Sequence, residues 1–239
     1  MSSGLVSRPD QIAELTRGLD LPLAAIDDVH LQILAEGVTQ AFNDIRVEMP
    51  NTIADGDEAE ITALLEARLN AMIDEDPLWR QLVACVVRGK ESLSFDGTHL
   101  EKRPDLSIYL TERSRRFPLI AEAKIIDAVK GEGLYCSQGI RRFLIGEYGW
   151  GGREAFMIAY VRDESTLMAR LAPYLASSPQ STAYAVEDGL SAHDPVLGDS
   201  GRTLHSRSYL YAHISPPAND PGPIALWHLW LNTHMITQP

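Results

Sequence analysis

The residues best placed to do chemistry lie between Pro104 and Lys124, in the stretch PDLSIYLTERSRRFPLIAEAK. Two apolar runs are separated by a charged connection, and the second run is interrupted by a carboxylate, Glu122, and an ammonium, Lys124. Alternation along an extended strand puts Pro118, Ile120, Glu122, Lys124 and Ile126 on one face and Phe117, Leu119, Ala121, Ala123 and Ile125 on the other. Apart from the charged pair both faces are apolar, the pattern of a central strand in a covered sheet. Ionised groups are costly there unless they are paired or hold a metal, so Glu122 and Lys124 need a structural partner or a chemical role. In the first run Asp105, Ser107 and Tyr109 share a face, and residues 111 to 116 suit a hairpin connection. Folding the chain symmetrically about that connection sets Asp105 opposite Glu122 on an adjacent antiparallel strand, with Cβ atoms about 4.5 to 5.5 Å apart. Like charges so placed repel, and a divalent cation between them turns the repulsion into attraction.

Pro104 and Asp105, followed by Glu122, Ala123 and Lys124, resemble the core motif of the PD-(D/E)XK superfamily, the restriction-endonuclease-like nucleases. The resemblance spans residues 57 to 162 and implies an α/β fold with a central mixed β-sheet flanked by helices, in the order helix, three antiparallel strands, helix, strand. The flanking sequence reads in that order. A helix pattern follows the acidic cluster Asp55 to Glu60, a candidate strand covers 81 to 88, the two motif strands follow, then a helix pattern over 132 to 148 and a strand over 155 to 161. The resemblance further implies Mg²⁺ or Mn²⁺ held by Asp105, Glu122, the carbonyl of Ala123 and Glu60, which sits near the start of the first helix. Lys124 is implied as the group that holds or deprotonates the attacking water, and Gln138 as the glutamine of the helix after the lysine strand. Gln138, Gly139, Ile140, Arg142, Phe143, Gly146 and Tyr148 are similar to a Y-x-x-Q-G-I-x-R-F-x-x-G-x-Y signature of some small prokaryotic members. At the position where that helix more often carries a tyrosine after the glutamine, this chain has Arg142.

The implied activity is metal-dependent hydrolysis of phosphodiester bonds by an endonuclease or exonuclease, on DNA before RNA, of the kind found in prokaryotic antiviral defence and restriction systems. Two alternatives stay open. One is a noncatalytic nuclease-like subunit that binds nucleic acid or scaffolds an assembly. The other is an acidic protein-interaction module in which Lys124 simply pairs with Glu122 or Asp105 at a strand end.

Composition narrows the setting. The 239 residues suffice for one substantial core, and 45% hydrophobic with 23% charged residues is ordinary for a globular protein. The organisation expected is a helical extension over 1 to 50 and a nuclease-like domain over 51 to 239. Helix periodicity runs through residues 8 to 48 and 164 to 175, residues 188 to 202 read as a long connection, and 204 to 214 and 224 to 231 read as late strands. No apolar run is long enough to cross a bilayer and MSSGLVSRPDQ lacks a signal-peptide core, so a cytoplasmic protein without membrane contact is expected. A formal charge of −12 argues against a broad grip on nucleic acid. It leaves room for a local basic groove around Arg113, Arg115 and Arg116, and for a basic protein partner or a homo-oligomer. Cys85 and Cys136 lack zinc-site spacing, and His193, His205 and His228 form no known ligand or catalytic arrangement, so all five are expected to be structural. No phosphate-binding glycine motif and no nucleophile elbow is present.

Overall fold

The computed structural model describes residues 8–97, 103–193 and 197–234. Along the chain lie α1 (Arg8–Thr16), α2 (Asp28–Glu48), α3 (Pro50–Asp55), α4 (Glu58–Glu75), α5 (Pro77–Leu82), β1 (Val83–Arg88), β2 (Leu106–Leu110) and β3 (Leu119–Ile126). A continuous helical segment follows, made of α6 (Glu132–Tyr135), a π turn (Cys136–Ile140) and α7 (Arg141–Leu144). Then come β4 (Glu154–Val161), a second π turn (Leu167–Leu171), α8 (Ala172–Ala176), α9 (Ser178–Ala183), β5 (Val186–Ala192), β6 (Asp199–His205) and β7 (Ile224–Asn232).

The strands form one seven-stranded mixed sheet in the order β1-β2-β3-β4-β7-β6-β5. β3, β4 and β7 are mutually parallel at its centre, and the outer pairings are antiparallel. Every residue of β3 and of β4 is buried, as two-faced apolar sequences require when helices cover both sides. On one face α2 and α4 pack Leu34, Val38, Leu65 and Leu69 into a core with Ala121, Ala123, Ile158 and Tyr160. On the other face Tyr135, Ile140, Phe143 and Leu171 pack against Ile120, Met157 and Ala159. The chain is therefore α/β, with a mixed sheet flanked by helices. Among the described residues no helix is long and apolar enough to cross a membrane.

Several expectations change. α2, placed by periodicity in an N-terminal extension, shares its core with the sheet. Residues 188 to 202, expected as a connection, contain most of β5 and the start of β6, which pair antiparallel. β5 is an edge strand exposed along most of its length, so it lacks the alternation that marks a half-buried strand. Of residues 204 to 214 only Leu204 and His205 belong to a strand. The alternating Tyr209 and Tyr211 instead join Phe117 and Trp150 in a separate aromatic cluster.

One buried polar chain ties the two halves together. His205 Nδ1 lies 2.7 Å from the carbonyl oxygen of Tyr184, so that nitrogen carries the proton. Burial holds both His205 and His228 below the usual histidine range, and the rings are neutral. His205 Nε2 then accepts from Thr203 Oγ1 at 2.7 Å, and Thr203 accepts from His228 Nε2 at 2.8 Å. His228 Nδ1 is left to accept from the Tyr135 hydroxyl at 2.8 Å. The Tyr135 hydroxyl also lies 3.0 Å from the Met157 carbonyl oxygen, and with its proton on the shorter contact to His228 the chain runs in one direction from α6 to the residue preceding β5 by two. Nitrogen-15 NMR should find His205 as the Nδ1–H tautomer and His228 as the Nε2–H tautomer, both neutral at pH 6. Tyr135→Phe, which strands a buried acceptor, should cost about 1–3 kcal/mol in urea unfolding. The opposite tautomers would reverse this assignment.

Candidate active site

The site forms where β2 stops following β3. The two strands pair through Leu106 with Ala121, Ser107 with Ile120 and Ile108 with Leu119, and one further step in that register sets Asp105 beside Glu122. Beyond that point the β3 edge has no strand partner among the described residues, and buried N–H groups need other acceptors. Carboxylates supply them. Asp105 Oδ2 accepts from Ala123 N at 2.7 Å, and Glu58 Oε2 accepts from Ile125 N at 3.3 Å. Glu58 is the first residue of α4, whose start is held by a reciprocal capping box between Asp57 and Glu60.

Lys124 Nζ lies among three carboxylates, 2.9 Å from Glu58 Oε1, 3.0 Å from Glu122 Oε1 and 3.5 Å from Asp105 Oδ2. It also donates to the carbonyl of Ala123. From the other side Arg142 Nη1 reaches Glu122 Oε1 at 2.7 Å and Tyr148 Oη at 3.1 Å. Gly139 eases that approach. A methyl group there would meet the flexible end of Met157, which would have to shift, and lie 3.9 Å from Glu122 Cγ, so the bare backbone at this residue eases the close seating of the helical segment.

Glu122 is 1% exposed, and its Oε2 is buried without a hydrogen-bond partner among the described residues. Burial, helped by the charge of Asp105, pushes its carboxyl up to about 8, against the opposing pull of Lys124 and Arg142. Burial also works against the charge of Lys124, but Glu122, Asp105 and Glu58 outweigh it and hold the ammonium above its ordinary range. Lys124 therefore stays protonated in this arrangement and serves as a donor.

Asp105, Glu122, Lys124 and the carbonyl of Ala123 are thus brought together, whereas two residues assigned by resemblance are not. Glu60 is exposed and its carboxylate accepts from Asp57 N at 2.8 Å, so it closes the capping box and Glu58 occupies the place expected of it. Two residues along a helix is a rotation of about 200°, which sends Glu58 and Glu60 to nearly opposite sides. Asp57 and Glu60 at D-x-x-E spacing were the signal, because such a pair is already committed to a helix start. Gln138 lies exposed on the π turn, and its side chain makes no hydrogen bond among the described residues. The wider i to i+5 turn removes it from the row of Arg142, the residue that does meet Glu122.

Comparison with family models, with curated proteins and with solved structures found no match. Among the described residues no group of three or more His, Cys, Asp or Glu side chains closes into a metal cage by itself, since the ammonium of Lys124 stands between the carboxylates.

The raised carboxyl of Glu122 has a pH signature. The folded chain binds that proton more tightly than the unfolded chain, so the contribution of Glu122 to stability is full below about 4.5 and is lost as pH rises to about 8. Urea midpoints measured without divalent ions from pH 4.5 to pH 9 should fall over this window, and Glu122→Gln should flatten the fall. An unchanged slope in the variant would mean that the carboxyl titrates normally.

Proposed function

We propose that this chain is a divalent-metal-dependent nuclease with a restriction-endonuclease-like core, hydrolysing phosphodiester bonds in nucleic acid, DNA before RNA. The observation that carries the reading is the convergence of Glu58, Asp105, Glu122 and the Ala123 carbonyl on one point, the ammonium of Lys124. Apart from the short α5 between α4 and β1, the order α4, β1, β2, β3, the helical segment of α6 and α7, then β4 agrees with the order that the resemblance implies and supports the finer fold reading.

The donor types, though not their present spacing around the Lys124 ammonium, suit a hard divalent cation. The donor set is all oxygen, and among the described residues Glu122 Oε2 is a buried acceptor in want of a partner. Asp105, Glu122 and the Ala123 carbonyl, with Glu58 in the place expected of Glu60, are the residues that would hold Mg²⁺ or Mn²⁺. The ion, once bound, supplies Lewis acidity and lowers the pKa of a coordinated water. Lys124, charged and on a buried strand, is placed to orient a water and to balance phosphate charge. Arg142 presents a planar fork suited to a phosphate oxygen pair, and Tyr148 holds it from behind.

The ion pairs of Lys124 and Arg142 also favour a second reading, a noncatalytic nucleic-acid-binding or scaffolding subunit whose charged cluster is a salt-bridged strand end. One set of measurements separates the two. Calorimetry should show Mg²⁺ or Mn²⁺ binding that tightens as pH rises towards 8, because the proton on Glu122 must leave. Asp105→Ala and Glu58→Ala should weaken it, while Glu60→Ala should leave it intact and cost only about 0.3–1.5 kcal/mol of stability. Cleavage of single- and double-stranded DNA and RNA should require the metal and drop by about 10²-fold or more in Lys124→Ala, with little rescue by Lys124→Arg. Absence of metal binding and of cleavage would leave the scaffolding reading.

A further inference from the structure

Beside the charged cluster lies a cleft of about 480 Å³, within the range of about 300–1,000 Å³ typical of ligand sites. Its floor includes Ser107 and Ile120, each two residues along its strand from Asp105 and Glu122. Side chains two apart on a strand share a face about 7 Å apart, so the cleft continues directly from the proposed site. α1 forms one wall through Gln11 and Leu15, and the turn at Gly149 to Gly152 forms the other. Arg116 fastens α1 in place, its Nη1 donating to the carbonyls of Glu14 at 3.2 Å and Arg17 at 2.9 Å.

The cleft is a local exception in an acidic chain. Lys90, Arg115 and Arg116 line it. Lys90 is exposed, with Nζ 2.5 Å from Tyr109 Oη, and Arg115 is exposed with no ion-pair partner among the described residues. Of the carboxylates that also line it, Glu91 is paired with Arg103 at 2.5 Å and Glu147 faces Arg142 at 4.0 Å. Ser107 is 2% exposed, and its hydroxyl has no hydrogen-bond partner among the described residues. Cations at the rim over an apolar floor with an unused hydroxyl match a ligand with phosphates on one side and a flat, weakly polar group on the other.

We propose that this cleft holds single-stranded nucleic acid, seating the nucleotide next to the scissile phosphate with its phosphates against Lys90 and Arg115 and its base over Ile120 and Phe117. The assignment rests on the nuclease reading and narrows its substrate. A duplex presents two charged backbones and calls for a broad cationic face, which a chain of net charge −12 does not supply. A few phosphates of one flexible strand need only the cations present here, and bases stripped of their partners can lie on apolar side chains.

The test is fluorescence anisotropy of the full chain carrying Glu122→Gln, in chelator, with labelled oligo-dT, the same length of duplex DNA, and single-stranded RNA. Single strands should bind at least about tenfold tighter than duplex. Adding Lys90→Ala and Arg115→Ala should weaken single-strand binding about tenfold and reduce the slope of log affinity against log salt by about 1.4, two phosphates at about 0.7 each. Gln11→Trp, which narrows the cleft without changing charge, should weaken it as well, with thermal midpoints of all variants within a few degrees of the parent. RNA bound as tightly as DNA supports the cleft, whose contacts are to phosphate and base. Equal affinity for duplex, or an unchanged affinity and salt slope in the cation double variant, overturns it. Metal-dependent cleavage by the wild-type chain, assayed in parallel, keeps the outcomes apart. Cleavage with unaltered binding removes the cleft alone, and no cleavage with cation-dependent single-strand binding removes the nuclease reading alone.

Discussion

The parting of β2 from β3 governs the rest of the site. A fully paired sheet would give the N–H groups of Ala123 and Ile125 to a neighbouring strand, and there would be no reason for carboxylates at that edge. Because the pairing ends near Leu106, the edge must be capped by side chains, and Asp105 and Glu58 do so from a strand end and a helix start. Both carboxylates are thus fixed by backbone hydrogen bonds before any chemistry is asked of them. Their other contacts converge on Lys124, and Glu122 completes the group from within β3.

The opposite wall depends on how closely a helix can approach the sheet. Gly139 omits a side chain that would displace the end of Met157, and the π turn then changes which residues look inward. Arg142 reaches Glu122, and Tyr148 steadies the guanidinium with its hydroxyl and with a ring centred 5.4 Å away. The directed chain from Tyr135 through His228 and Thr203 to His205 anchors the same segment to β7 and β6. The closely seated glycine and the polar anchor together place one cation on a carboxylate buried in a strand.

Much of this arrangement was legible in the residues. Two-faced apolar runs marked β3 and β4, and turn symmetry about residues 111 to 116 placed Asp105 next to Glu122. The misreadings have local physical causes. Glu60 is implied by the resemblance as the acidic residue near the start of the first helix, but Asp57 already engages it. Gln138 is implied by the resemblance, and the π turn that carries it out of the site leaves no mark in hydrophobic periodicity. β5 was missed because its polar sequence, VEDGLSA, suits a solvated edge as well as a loop. Tyr209 and Tyr211 alternate as strand residues do, but Tyr209 stacks on Phe95 and Tyr211 meets Trp150 edge-on outside the sheet.

The strand order carries a consequence for how the chain comes to be folded. β7 lies between β4 and β6, so the middle of the sheet is closed by the strand that is synthesised last. Until residues 224 to 232 leave the ribosome, the edge of β4 presents a buried-type strand, apolar but for Glu154, with unmet backbone groups. That edge is a template for pairing with other chains. The polar hairpin of β5 and β6, made before β7, cannot shield it without the strand that joins them. A nascent or truncated chain lacking β7 therefore leaves the apolar edge of β4 open to pairing with another chain.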